Sequence, residues 1–159
     1  MAYQVAVCGP RLSTDVEWQQ AFRVGQLLAE RDVTVICGGG QGVMAATAAG
    51  VRSRSGVVIG IRPTASAEGA SPDLSATIVT NMGEARNAII VWSADAVIAI
   101  GGSWGTLSEV ALAMRRGDIP VVSLGGWRLT DASGEPVTGI SYVDDAEAAV
   151  ERALAGRQD

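Results

Sequence analysis

The sequence predicts a three-layer α/β domain with a mostly parallel sheet of six to seven strands, and three observations predict it. Short β-branched runs alternate with helix-length amphipathic segments, the pattern of strands covered on both faces. Glycine clusters directly follow several of those runs, where strand-to-helix turns need residues without a side chain. The length of 159 residues, 48% of them hydrophobic, suits one domain with a sizeable core. With aromatics at only 4%, that core must be mostly aliphatic. The arrangement is Rossmann-like. No second domain and no internal repeat interrupts residues 1–159.

The elements follow in order. Tyr3–Cys8 is a first strand that ends at Gly9-Pro10, and Ser13-Thr14-Asp15 offers caps for a helix over Val16–Arg31. Val33–Cys37 is a second strand running into Gly38-Gly39-Gly40-Gln41-Gly42, after which Val43–Arg54, rich in small residues, is a helix packed closely on the sheet. Val57–Ile61 is the third strand, and a polar loop spans Arg62 to Asp73. Ala76–Thr80 is the fourth strand, Met82–Trp92 a helix, and Ala96–Ile100 the fifth strand. Leu107–Arg116 is helical and stops at Gly117, and Val121–Leu124 is the sixth strand. Gly125–Gly139 is irregular or a small hairpin turning at Asp131-Ala132-Ser133-Gly134. Asp144–Ala155 is a closing helix, and Gly156–Asp159 is expected to fray.

The missing residue types exclude whole chemistries. There is no His, and all 12 positive charges are Arg. Without Lys there is no Schiff base and no Walker-type phosphate lysine. Without His there is no Ser-His-Asp or Cys-His mechanism, and most zinc sites are out of reach, so no metal site is expected. The net charge is −5 with no long basic stretch, so no nucleic-acid surface is expected. Cys8 and Cys37 end predicted buried strands and read as reduced core thiols of a cytoplasmic protein. No signal peptide and no membrane span is read, since no apolar run approaches the roughly 20 residues needed to cross a bilayer.

Three segments follow strand ends and should share one edge of the sheet, where parallel α/β sheets bind ligands. In Gly38-Gly39-Gly40-Gln41-Gly42, backbone N–H groups and a helix N-terminus can meet an anion, although a plain tight turn reads the same way. In Gly101-Gly102-Ser103-Trp104-Gly105-Thr106, N–H groups and hydroxyls can again hold a phosphate. Glu109 lies one turn further, suited to act as a base or to stabilise positive charge. Thr106-x-x-Glu109 also matches a capping box, and local sequence favours that reading. In Asn81-Met82-Gly83-Glu84-Ala85-Arg86-Asn87, Arg86 opens a helix, a poor place for a cation unless it pairs with a phosphate or carboxylate. A solvated surface Arg is the alternative.

Together, in this order, the segments resemble the Lonely Guy superfamily, often misnamed lysine decarboxylases. Its best-known members are phosphoribohydrolases that release a cytokinin base from its riboside 5′-monophosphate. The family pattern P-G-G-x-G-T-x-x-E is similar to Gly101 through Glu109, with Gly101 for Pro and Ser103 for the second Gly. G-G-G-x-x-G-x-M resembles Gly38-Gly39-Gly40-Gln41-Gly42-Val43-Met44 with one residue fewer. M-x-x-R-K is approximated by Met82 through Asn87, with one extra residue and Asn87 for Lys. Val7-Cys8-Gly9 looks like the family's first strand and turn.

The resemblance covers about Tyr3 to Leu124. It implies a phosphate site at Gly9, Gly38, Gly39, Gly40, Gly42, Met44, Asn87, Gly101, Gly102, Ser103, Trp104, Gly105 and Thr106. It also implies that Arg86 and Glu109 act on the ribosyl bond if the chain is a hydrolase. The departures point to a sister branch that includes molybdenum-cofactor carrier proteins. The core expectation is therefore a binding protein for a phosphate-bearing small molecule, a nucleotide monophosphate or a molybdopterin-type ligand, with no cofactor required. Nucleoside 5′-monophosphate phosphoribohydrolase is the alternative. The resemblance further implies a homodimer or homotetramer, for which the small-residue face of Val43–Val51 and the Leu107–Met114 helix are suited.

Overall fold

The computed structural model describes residues 1–157. Seven strands form one sheet: β1 (Gln4–Cys8), β2 (Thr34–Cys37), β3 (Val58–Arg62), β4 (Ala76–Val79), β5 (Ala96–Ile100), β6 (Val121–Leu124) and β7 (Ile140–Val143). Their order is β4-β3-β2-β1-β5-β6-β7, and every neighbouring pair is parallel. Five α-helices connect and close them: α1 (Asp15–Ala29), α2 (Val43–Arg52), α3 (Arg86–Trp92), α4 (Trp104–Arg116) and α5 (Ala146–Leu154).

Side-chain alternation along the strands feeds two cores. Val5, Val7, Val35, Ala96, Ile98 and Ile100 meet α1, α2 and α5 on one face. Ala6, Cys8, Ile36, Val97 and Ala99 meet α3 and α4 on the other. This is the period of two expected of a pleated strand, realised on both sides because both faces are buried. The three-layer Rossmann-like expectation therefore holds. The chain reverses its direction across the sheet between β1 and β5, so the crevice at their C-terminal ends is where a ligand is expected.

Six strands fall within a residue or so of their expected bounds. The seventh, β7, follows the irregular segment in Ile140-Ser141-Tyr142-Val143, a short half-buried stretch with no continuous apolar run to announce it. Gly125–Gly139 does carry a small hairpin, with a bridge between Thr130 and Pro136 and Gly134 N–H donating to the Asp131 carbonyl. The single helix expected over Met82–Trp92 is instead a 3₁₀ turn, Gly83–Ala85, followed by α3. Asn81 and Gly83 both have positive φ there, so the chain cannot enter a regular helix before Arg86. The fraying expected of Gly156–Asp159 falls partly on residues 158–159, outside the described ones, while Arg157 donates to the Arg31 carbonyl at 2.7 Å.

The small-residue face of α2 is consumed inside the chain. Gly50 lies against the Phe22 backbone, and Gly25 against Thr47 and Val51, so α1 and α2 approach too closely for side chains at either position. Among the described residues, no helix is long and apolar enough to cross a membrane.

Candidate functional site

A cleft of about 490 Å³ opens at the C-terminal edge of the sheet. Its floor is Cys8 and Gly9 at the end of β1. One wall is Gly38, Gly40, Gln41 and Met44, and another is Ser103, Gly105, Thr106 and Glu109 of α4. Glu84, Arg86 and Asn87 close one side, and Arg62, Pro63, Thr64, Glu68 and Gly69 close another.

Helix α4 begins three residues earlier than its apolar spacing implied, because Ser103 is its N-cap. The Ser103 hydroxyl accepts from Thr106 N–H at 3.1 Å and meets the Thr106 hydroxyl at 2.9 Å. That corrects the capping-box reading. With Ser103 as cap, Thr106 is the third helical residue, and Glu109 lies in the second turn, beyond reach of the free N–H groups. A complete capping box does occur, but at Thr14 and Glu17 of α1. The first turn of α4 keeps donors for a ligand, the Gly105 N–H among them, and the helix dipole favours an anion there.

Glu109, relieved of a capping role, is buried at 6% exposure and points at the cleft floor. Burial raises its carboxyl from the ordinary 4.5 to about 7, held back by the Arg86 charge and by a hydrogen bond with the Cys8 thiol. The same burial, with Glu109 beside it, pushes the Cys8 thiol well above the ordinary thiol range. Burial raises Cys37 to about 11, opposed by a 3.4 Å hydrogen bond from Gly39 N–H. Both cysteines are free, and their protonated state at neutral pH makes them poor nucleophiles. Among the described residues, no group of three or more His, Cys, Asp or Glu could hold a metal ion.

Arg86 is the first residue of α3, and its guanidinium lies across Gly38, where even a Cβ would collide with it and with Met44 Sδ. Its Nε and Nη1 are buried and have no hydrogen-bond partner. Asn87 donates to the Ser108 hydroxyl at 2.8 Å, while its Oδ1 is buried without a partner. Orphaned buried donors are rare in folded proteins and cost about 1–3 kcal/mol each, so they mark a place where a partner belongs.

The structure thus brings Gly9, Gly38, Gly40, Met44, Arg86, Asn87, Ser103, Gly105, Thr106 and Glu109 to one cleft. Five expected binding residues stand off it. Gly39 is spent on close approach to Gly60 of β3, and Gly42, at φ 65°, fits beneath the Pro10 and Arg11 carbonyls. Pro10 O also takes the Val43 N–H at 3.1 Å, so that first N–H of α2 is spent within the chain. Gly101 faces Glu17, and Gly102 lies under Trp127. Trp104 turns outward at 79% exposure to meet Trp127 edge-on at 5.0 Å. Arg11 and Arg62 were missed. The available signal for Arg62 was its position as a cation ending an apolar parallel strand, at the edge where such sheets bind ligands.

Comparison with known proteins agrees with the fold. A protein of Archaeoglobus fulgidus without a described function is 38% identical over 139 residues, which cover 84% of this chain and 91% of that protein. The structure of a molybdenum cofactor binding protein from the phototrophic bacterium Rippkaea orientalis superposes with a TM-score of 0.86 at 32% identity, covering 95% of this chain and 94% of that one. A Moco carrier protein from Chlamydomonas reinhardtii superposes with a TM-score of 0.83 at 27% identity, covering 99% of this chain and 100% of that one. The model of the SLOG cluster4 family matches residues 2–150, and the chain belongs to that family, within the superfamily its glycine loops resemble.

Proposed function

We propose that this protein binds a molybdenum-cofactor-type ligand, a phosphate-bearing pterin, in the cleft between α4 and Arg86, and holds it without turnover. The observation that carries the reading is Arg86, a guanidinium with two enclosed nitrogens lacking any acceptor, in the same cleft as the N-terminus of a 13-residue helix. An anionic group there would complete the Arg86 hydrogen bonds and meet the helix dipole at once. The pterin half of the reading rests on the two carrier-type relatives. The residues fit such a ligand. The cleft volume is that of a small-molecule site, and glycines on two of its walls let a planar group approach backbone closely. As cargo, the ligand supplies the redox chemistry elsewhere, and this chain's task is to enclose it. Assembly into a homodimer or homotetramer belongs to the same reading.

The test is the ligand itself. Protein made in its native host and analysed by mass spectrometry should carry a phosphorylated pterin. Added molybdopterin at a hundredfold excess over its dissociation constant should stabilise the fold by roughly 2.7 kcal/mol, or about 5–10 °C. Protein that carries no pterin and does not respond to added molybdopterin overturns the reading.

One observation favours the hydrolase alternative. Glu109 titrates near neutrality beside Arg86, the arrangement expected of a carboxyl facing a ribosyl centre. In that reading, Glu109 orients water toward the anomeric carbon and Arg86 holds the 5′-phosphate. A general acid for the departing base is not apparent among the cleft residues, which is why binding is preferred. Release of adenine from AMP by wild type and not by Glu109→Ala would reverse that preference.

A further inference from the structure

We propose that Arg62 builds a second anion subsite in the cleft, so that the natural ligand carries two separate anionic groups. The inference rests on the reading of the cleft as a ligand site and names what else that ligand must contain.

Arg62 is the last residue of β3, half-buried in the cleft wall. Its side chain runs along the opposite end of the Gly38-Gly39-Gly40 run from Arg86. A Cβ on Gly39 would come within 3.2 Å of Arg62 Cδ, and one on Gly40 within 3.2 Å of Arg62 Nη1. The run is free of side chains because two guanidiniums lie along it, one at Gly38 and one at Gly40. Of Arg62's five donors, one is satisfied within the chain, Nη2 donating to the Glu68 carbonyl at 2.9 Å. Nε is buried with no partner.

A carbonyl accepts a hydrogen bond but does not neutralise a charge. The ion pairs among the described residues involve Arg23, Arg54 and Arg116, and neither cleft guanidinium takes part in one. Arg11 adds a third cation to the same lining. The carboxylates on the same lining are Glu68 and Glu84, both exposed, and Glu109, whose burial raises it to about 7. The guanidiniums of Arg62 and Arg86 thus lie at opposite ends of the glycine run, each with a buried nitrogen that has no acceptor and neither paired with a carboxylate.

The Arg62 backbone is also held in place, and its side chain is tethered at one end by the Nη2 bond to the Glu68 carbonyl. Thr80 donates to the Arg62 carbonyl through both N–H, at 3.1 Å, and hydroxyl, at 2.7 Å. Ser71 N–H donates to Gly39 O at 3.1 Å, and Gln41 Nε2 to Gly69 O at 3.4 Å, which ties the loop after β3 to the glycine run. An arginine fixed before binding loses little freedom on taking an anion, which is what a recognition residue needs.

Tungstate tests this, because it is a tetrahedral dianion located directly by anomalous scattering. Wild-type crystals soaked in tungstate should show two ions in each cleft, one between Arg86 and the Gly105–Thr106 backbone and one against Arg62. Arg62→Met should lose the second ion alone, with affinity at that subsite falling about tenfold or more. A single ion with none against Arg62 in wild type overturns the proposal, as does an Arg62→Met protein that keeps both. Wild type suffices for the decision if the variant fails to fold. The probe contains no pterin, so the outcomes separate. Two tungstates in a protein that refuses molybdopterin support this inference and sink the pterin. A protein that binds molybdopterin with no anion at Arg62 does the reverse.

Discussion

Replacing Glu109 with Gln should make the protein more stable above neutral pH and leave it unchanged in acid. Glu109 is buried, and its carboxyl is raised from 4.5 to about 7, first by desolvation. The folded state therefore holds a proton that the unfolded chain has released between those two values. Because the native state binds more protons in that window, stability falls as pH rises through it. The loss is complete once pH passes the folded value of about 7. A displacement from 4.5 to about 7 amounts to roughly 3 kcal/mol, at about 1.4 kcal/mol per pH unit. Gln is close in shape to the protonated acid and never ionises. Glu109→Gln should match wild type below the ordinary carboxylate range and exceed it by about 3 kcal/mol at about pH 8. In a domain of this size that is about 6–12 °C in melting temperature.

The assay is urea or thermal unfolding of both proteins in steps across that pH range, without ligand. The difference between the two curves isolates Glu109 from the other carboxylates. A difference that does not change with pH would refute the reasoning, since it would mean that Glu109 titrates normally and is hydrated in the folded state. A variant that is less stable at every pH would refute it too, by making the ionised carboxylate a net stabiliser through Arg86.

The remaining predictions concern the same cleft and its supports. Arg86→Met should bind phosphate-bearing ligands about tenfold or more weakly, by isothermal titration, because it removes a charged donor. It should also move the pH-dependent loss of stability to higher pH, because the Arg86 charge is the larger of the two influences that hold the Glu109 carboxyl down. Gly38→Ala should weaken binding about as much as Arg86→Met, while its melting temperature changes little without ligand. Its Cβ has no positive φ to strain, but it displaces Arg86 and Met44 Sδ, the latter 2.6 Å away. Gly50→Ala should cost about 2–3 kcal/mol in chemical unfolding, because its Cβ meets the Phe22 backbone and forces α1 and α2 apart.

The fold was largely legible because parallel strands buried on both faces leave a simple trace, continuous runs such as Val5-Ala6-Val7 and Val97-Ile98-Ala99. What escaped notice was set by geometry with weak local signals. Strand β7 is only partly buried along its length and mixes Ser and Tyr with Ile and Val, so no run announces it. The break before α3 comes from two successive turns through positive φ, at Asn81 and Gly83, inside a stretch whose apolar spacing still reads as helix. Glu109 illustrates a different failure. Thr106 and Glu109 have capping-box spacing, and only the position of the true cap, Ser103, shows that the spacing is incidental.

The glycine run Gly38-Gly39-Gly40 has a second role that local sequence does not show. Read locally, it offers backbone N–H groups and a helix N-terminus to an anion. In the fold, the Pro10 carbonyl takes the first N–H of α2, and Gly39 N–H turns back to Cys37 Sγ. The run also contributes the absence of side chains. It lets the Arg86 guanidinium settle against Gly38 and that of Arg62 against Gly40. The positive charge comes from helix α3 on one side and strand β3 on the other, residues 86 and 62, far from the run in sequence. In the proposed reading, that is how a chain without a single Lys or His would present an anion site. Its side-chain cations are all Arg, and guanidiniums set this close to the backbone need a neighbour with no Cβ. The glycines and the arginines are therefore one device, and substituting either half should disable it.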